Sequence, residues 1–128
     1  ADESIHITRT VTLELEWVLR SCYRFDKPTI LGAIRALLES RDVVLEAEGA
    51  IEHACYLYEH GNADFADAVH LACCTAEDAL PFLTFDDKAS RLPGARRVGV
   101  AVGAGAARRR QSSRPTCRRS WRSTERLR

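Results

Sequence analysis

Four carboxylates in this sequence stand beside apolar faces or at the end of an apolar run, where solubility alone gives no reason for them: Glu14, Asp64, Asp67 and Asp86. On a helical wheel at about 100° per residue, Val11, Leu15, Val18, Leu19 and Cys22 form one stripe, with Glu14 at its border. Glu16 falls on the opposite side, one turn before Arg20, in register for an i,i+4 ion pair. Glu14 is therefore expected half-buried and Glu16 solvated. A half-buried carboxylate needs a partner, and a metal ion is one candidate. Phe65, Ala68, Val69, Ala72 and Ala76 make a second stripe, flanked in its first turn by Asp64 and Asp67. A helix cap explains Asp64 as well as a ligand role does, but Asp67 lies past the cap position. Finally, the apolar run Phe82 to Phe85 leads directly into Asp86 and Asp87, at the strand edge where open α/β sheets place their ligands. An N-cap accounts for one of those two acids. Carboxylates that converge without basic partners repel one another, and Mg²⁺ or Mn²⁺ relieves that cost. Hard oxygen donors suit these ions, and such sites serve phosphate chemistry.

The elements that would position these groups follow from hydrophobic period and punctuation. Ile5–Ile7 reads as a strand, and Thr8 or Thr10 caps a helix from Val11 to about Tyr23. Asp26-Lys27-Pro28 starts another helix, striped by Ile30, Leu31, Ile34, Leu37 and Leu38. Asp42 to Leu45 is a short β-branched strand. Ala47 to His60 is a third helix, closed by Gly61 as a left-handed cap. Asn62 or Ala63 opens a fourth helix, through about Ala79. Phe82–Phe85 is a buried-type strand, Asp86 to Leu92 a short helix ended by Pro93-Gly94, and Arg97 to Val100 a last strand. The order β-α-α-β-α-α-β-α-β argues for an α/β protein with a mostly parallel sheet covered on both faces, three layers in all.

Charge divides the chain in two. Residues 1–98 hold 10 Lys+Arg against 17 Asp+Glu, a net charge of −7, while residues 99–128 hold 9 Arg against Glu125, a net charge of +8. Residues 1–100 are therefore read as the folded domain. Residues 101–128 form an Arg-rich tail without hydrophobic periodicity, predicted to be disordered. The tail is either a nucleic-acid arm or the product of a shifted reading frame after Val100. The chain starts at Ala1 and contains no Met, as a cut product or fragment would. Neither a signal peptide nor a membrane span is expected. Five cysteines without a CxxC pair point to reduced thiols and a cytoplasmic setting. His70 and Cys74 share one helix face, but no second pair accompanies them to complete a soft-metal site. Trp17 and Tyr23 are expected to pack on the first helix's apolar face, and Tyr56 and Tyr58 to serve as core or dimer contacts.

Three segments in order carry a resemblance: Thr10-Val-Thr-Leu-Glu14-Leu-Glu-Trp-Val-Leu-Arg20, Gly61-Asn-Ala-Asp64-Phe-Ala-Asp67-Ala-Val-His-Leu-Ala72, and Leu83-Thr-Phe-Asp86. Together they resemble the PIN domain of VapC-type toxin ribonucleases over about Ile5 to Val98. The resemblance implies a metal-dependent endoribonuclease of a toxin-antitoxin system, with acids binding Mg²⁺ or Mn²⁺ and RNA as substrate. It implies Glu14, Asp67 and Asp86 as catalytic residues and those three with Asp64 as metal ligands. It also implies a homodimer and a cognate antitoxin protein. The family opens with a further strand ending in an aspartate, which by the same resemblance belongs between Ile5–Ile7 and Phe82–Phe85. The fold is thus expected to be PIN-like but incomplete at the N-terminus. The alternative is a catalytically inactive remnant that only dimerises or binds an antitoxin.

Overall fold

A computed structural model describes residues 3–99, so the expectation of a disordered tail over 101–128 lies outside the described residues. The chain forms β1 (Ile5–Ile7), α1 (Arg9–Ser21), α2 (Lys27–Leu38), β2 (Val43–Leu45), α3 (Glu48–His60), α4 (Phe65–Ala76), β3 (Phe82–Thr84), a 3₁₀ turn (Ala89–Arg91) and β4 (Ala95–Arg97). This is the expected order. Local chemistry explains the helix starts. The Thr8 hydroxyl accepts from the Val11 amide, and the Asp26 carboxylate accepts from the Thr29 amide at 3.0 Å, with Pro28 in the first turn.

The core is helical. Ile30, Leu31 and Ile34 of α2 meet Ile51, Ala54, Cys55, Leu57 and Tyr58 of α3, and Phe65, Ala68, Val69, Leu71 and Ala72 of α4. Ala54, Ala68 and Ala72 are fully or almost fully buried, and small side chains there let α3 and α4 approach closely. The Tyr58 ring meets Phe65 edge-on at 5.5 Å, and the Lys27 ammonium lies 4.5 Å from the centre of the same Tyr58 ring.

All pairing among the described strands is parallel, but it makes two ribbons rather than one sheet. β1 pairs with β2 and β3 with β4, and no ladder joins the two pairs. β1 and β3 are the strands between which the resemblance placed a further one. Leu45 of β2 lies in the helical core with Ile7 and Val43 packed against it, and Arg9, at the start of α1, adds a polar tie between the end of β2 and α4. The Arg9 amide and Nε both donate to the Glu46 carboxylate, at 2.9 and 3.1 Å, and its Nη1 reaches Cys73 Sγ of α4 at 3.3 Å.

Three local readings need correction. Gly61 is extended, not left-handed. Its glycine requirement comes instead from crowding, because a Cβ there would meet the Leu57 carbonyl oxygen at 2.8 Å. The last strand begins at Ala95 because Gly94, at φ 94°, turns the chain straight into pairing with Phe82. The third correction concerns α1, which is rotated by about one residue, roughly 100°, from the expected phase. It buries Thr12 and Glu16, the latter 3 % exposed, while Val11 and Trp17 are 50 % and 47 % exposed. Cys22 and Tyr23 are exposed as well. Polar groups can occupy the inner face because each is satisfied there: Thr12 donates to the Thr8 carbonyl, and Glu16 accepts from Arg20 and Tyr58.

Candidate active site

The acids gather where α4 begins and β3 ends. α4 starts after an extended residue, Asp64, whose carbonyl accepts the first helical bond from Ala68 at 3.1 Å. Its backbone is the N-cap, yet its side chain makes no capping bond. The exposed carboxylate therefore remains available, which the sequence left open.

One turn later, Asp67 is half-buried on α4. Its carboxyl is held above the usual carboxylate range, first by burial and then by the negative charges of Asp86 and Asp64, with His70 easing the effect. Asp67 therefore lies within the field of two other acids. His70, exposed on α4, stacks its ring on Phe82 at 6.4 Å, so α4 lies along β3 with Asp67 toward the strand's Asp86 end.

Asp86 is fixed by its own turn. Its amide donates to the Thr84 hydroxyl at 3.1 Å, and its Oδ1 accepts from the Lys88 and Ala89 amides, both at 2.8 Å. The capping role expected for one of the paired acids is thus real and belongs to Asp86, with Oδ2 outside those bonds. Asp87 is accounted for by an ion pair with Arg97 of β4.

The two glutamates of α1 exchange the environments expected for them. Glu14 is exposed and makes no hydrogen bond or ion pair among the described residues. Glu16, expected in solvent, is buried; its Oε1 accepts from Arg20 Nε at 2.8 Å, the i,i+4 pair that spacing foretold, and from the Tyr58 hydroxyl at 3.3 Å. Arg20 also lies in the field of Asp64. It is the cation beside this acidic group that sequence reasoning missed; its i,i+4 spacing announced the pair with Glu16 but carried no sign of a neighbour on α4.

The donor chemistry suits a hard divalent cation: carboxylate oxygens, mutual repulsion, and one acid raised by its neighbours. Mg²⁺ needs only one or two protein carboxylates, with water and substrate phosphate completing its shell. Among the described residues, no three or more His, Cys, Asp or Glu side chains stand together as a ready-made cage. Asp64, Asp67 and Asp86 thus share a region without enclosing a point.

A protein-family model described as the PIN domain matches residues 1–95. Neither a curated protein nor a solved structure matches the chain.

Proposed function

The chain belongs to the PIN-domain family, generally a nuclease domain, and from that premise we propose that it is a VapC-type endoribonuclease dependent on Mg²⁺ or Mn²⁺. The observation that carries this reading is Asp67, half-buried and destabilised by the charges of Asp86 and Asp64. Such an arrangement is costly without a cation and suited to one. Asp67 and Asp86 would be the principal ligands, Asp64 would add its uncommitted carboxylate, and Glu14 would join from α1. A bound divalent cation supplies Lewis-acid polarisation of the RNA phosphodiester and a more acidic water. The protein contributes the placement. The Thr84–Ala89 turn holds Asp86 by three hydrogen bonds, and the buried α4 face anchors the helix that carries Asp67 within the field of Asp86. Arg20, gripped by Glu16, offers a positive charge next to the acids toward which an RNA phosphate can be drawn.

The same reading extends to a homodimer, a cognate antitoxin protein and a cytoplasmic setting. Its support is the family membership together with the exposed apolar surface of Trp17, Tyr23 and Phe25 and the free thiols Cys55, Cys73 and Cys74. No helix among the described residues is long and apolar enough to cross a membrane. A second reading, a non-catalytic relative that only dimerises or binds an antitoxin, is favoured by the exposed position of Glu14 and the open arrangement of the acids.

The deciding experiment is cleavage of structured RNA by the full chain with Mg²⁺ or Mn²⁺, with Asp67→Asn and Glu14→Gln alongside. The enzyme reading expects cleavage that falls about 10²-fold or more in Asp67→Asn, the scale on which misplacing reacting groups by about 1 Å acts. No cleavage by the parent chain would leave the second reading standing. Cleavage indifferent to Asp67→Asn would remove the site assignment altogether.

A further inference from the structure

Cations are scarce in the folded body. Residues 1–85 hold 6 Lys+Arg against 15 Asp+Glu, and residues 86–98 reverse the balance with 4 against 2. Arg9, Arg20 and Arg35 each pair with a glutamate, and Arg97 pairs with Asp87. Lys88 and Arg91 differ. Both are exposed, and neither side chain has an ion pair or hydrogen bond among the described residues.

Their position follows from the 3₁₀ turn that carries them. Asp86 caps it by accepting from the Lys88 and Ala89 amides, both at 2.8 Å, so the lysine backbone lies against the acid. The Arg91 amide donates to the Lys88 carbonyl at 3.2 Å, and side chains three apart on such a turn share a face. The other face is buried through Ala89 and Leu92. Leu92 belongs to the helical core, and a Cβ on Gly61 would stand 3.6 Å from its Cδ2. The turn is therefore seated against the α3–α4 joint that leads into Asp64. Arg97, by pairing with Asp87, neutralises the acid that stands between Asp86 and Lys88 in the chain. Cations from two elements thus border the acids: Arg20 of α1, in the field of Asp64, and Lys88 with Arg91 after Asp86.

We propose that Lys88 and Arg91 form a phosphate track for the substrate RNA, holding the phosphates next to the one that lies at the carboxylates. The proposal rests on the nuclease reading for the identity of the polyanion and adds the residues that hold it. The charge pattern decides the class of ligand. Bare carboxylates repel a phosphate, so a strand crossing from Asp86 to Lys88 needs a divalent cation on one side and fixed cations on the other. An acidic peptide would gain from the fixed cations alone and has no use for the adjoining acids. Side-chain cations on an exposed turn contact phosphates rather than base edges, so the grip is independent of base sequence.

The test is binding of a labelled oligouridylate of about a dozen nucleotides to the full chain, without divalent cation, over a range of NaCl concentrations. Each phosphate neutralised on a single strand contributes about −0.7 to the slope of log affinity against log salt. K88Q/R91Q should therefore flatten the slope by about 1.4 and weaken binding at low salt by about tenfold or more. K88R/R91K should keep the parent slope. R41Q/R96Q removes two exposed cations placed elsewhere, Arg41 before β2 and Arg96 on the other face of β4 from Arg97, and should leave the slope unchanged. The 9 Arg of residues 99–128 are common to all these proteins and cancel in the comparison. In K88Q/R91Q, oligoadenylate should lose as much affinity as oligouridylate, and poly-glutamate should be held no less tightly than by the parent. A slope indifferent to K88Q/R91Q, an equal flattening in R41Q/R96Q, or an equal loss for poly-glutamate would each overturn the track. Cleavage plays no part in this measurement, so a parent chain that fails to cut RNA removes the nuclease reading without altering the outcome here.

Discussion

Asp67 is placed where its charge is expensive, and that cost can be measured without any RNA. Its carboxyl is raised by burial and by Asp86 and Asp64, so the folded chain binds a proton there more readily than the unfolded chain. The stability this group contributes is fully present below the ordinary carboxylate range and is lost as pH rises through the raised value. Above that window the charge is a constant penalty. Asp67→Asn carries no charge and should therefore melt higher than the parent at neutral pH, with the gap closing toward low pH. Melting temperatures taken across pH 3 to 7 check this; a variant that melts lower at neutral pH would mean that Asp67 has a stabilising partner. A substitution that steadies the fold while abolishing cleavage would be the ordinary exchange of stability for function at an active site. Glu16 is the opposite case. It is buried deeper than any other acid described, yet it is answered by Arg20 and by Tyr58, whose hydroxyl is held above its usual range by burial and by the Glu16 charge.

At the scale of elements, crowding rather than dihedral freedom governs the joint between α3 and α4. Gly61→Ala should destabilise the chain by about 1–3 kcal/mol, the usual cost of forcing atoms into a packed site, because its Cβ meets backbone at Leu57 and not a side chain that can swing away. Chemical denaturation would show it, and a loss below about 0.5 kcal/mol would mean that the turn relaxes freely. The elements themselves were legible because their signals are local. Asp26-Lys27-Pro28 starts α2, Pro93-Gly94 ends the 3₁₀ turn, and the stripe on α4 buries as its spacing says from Phe65 to Ala72, while Ala76 at the helix end is exposed. The places of Asp64, Asp67 and Asp86 along the chain were legible for the same reason, since each lies at or near an element end that local punctuation fixes. The phase of α1 was not. A wheel ranks residues by their own hydrophobicity, whereas Thr12 and Glu16 are buried through partners on other turns and on α3 that no local reading contains. Misplacing that phase exchanged the environments of Glu14 and Glu16.

For the molecule as a whole, the helices supply the cohesion. Phe65 is 1 % exposed and joins α4 to Tyr58 of α3, so Phe65→Ala should cost about 3–5 kcal/mol. That loss should appear in a single cooperative transition followed by both near-ultraviolet and far-ultraviolet circular dichroism. Separate transitions by the two probes would show that the ribbons and the helical core unfold as different units. The strands, three residues each and paired in twos, have little cohesion of their own and depend on the surface the helices offer.

That dependence has a consequence in time. α3 and α4 are neighbours in the chain, joined by residues 61–64, and their packing closes only a short loop, whereas β1 and β2 must come together across two intervening helices, and the nearer strands β3 and β4 have only three residues each to pair. Contacts of small sequence separation cost the least entropy to close and form first. The α3–α4 hairpin is therefore the expected folding nucleus, with the ribbons settling onto it afterwards. Ala54→Gly and Ala68→Gly, at the buried seam of that hairpin, should slow refolding and leave unfolding nearly unchanged, while Ala95→Gly in β4 should leave refolding nearly unchanged and hasten unfolding. Stopped-flow measurements on the three variants would reveal the order of assembly, and the reverse pattern would place the nucleus in the strands.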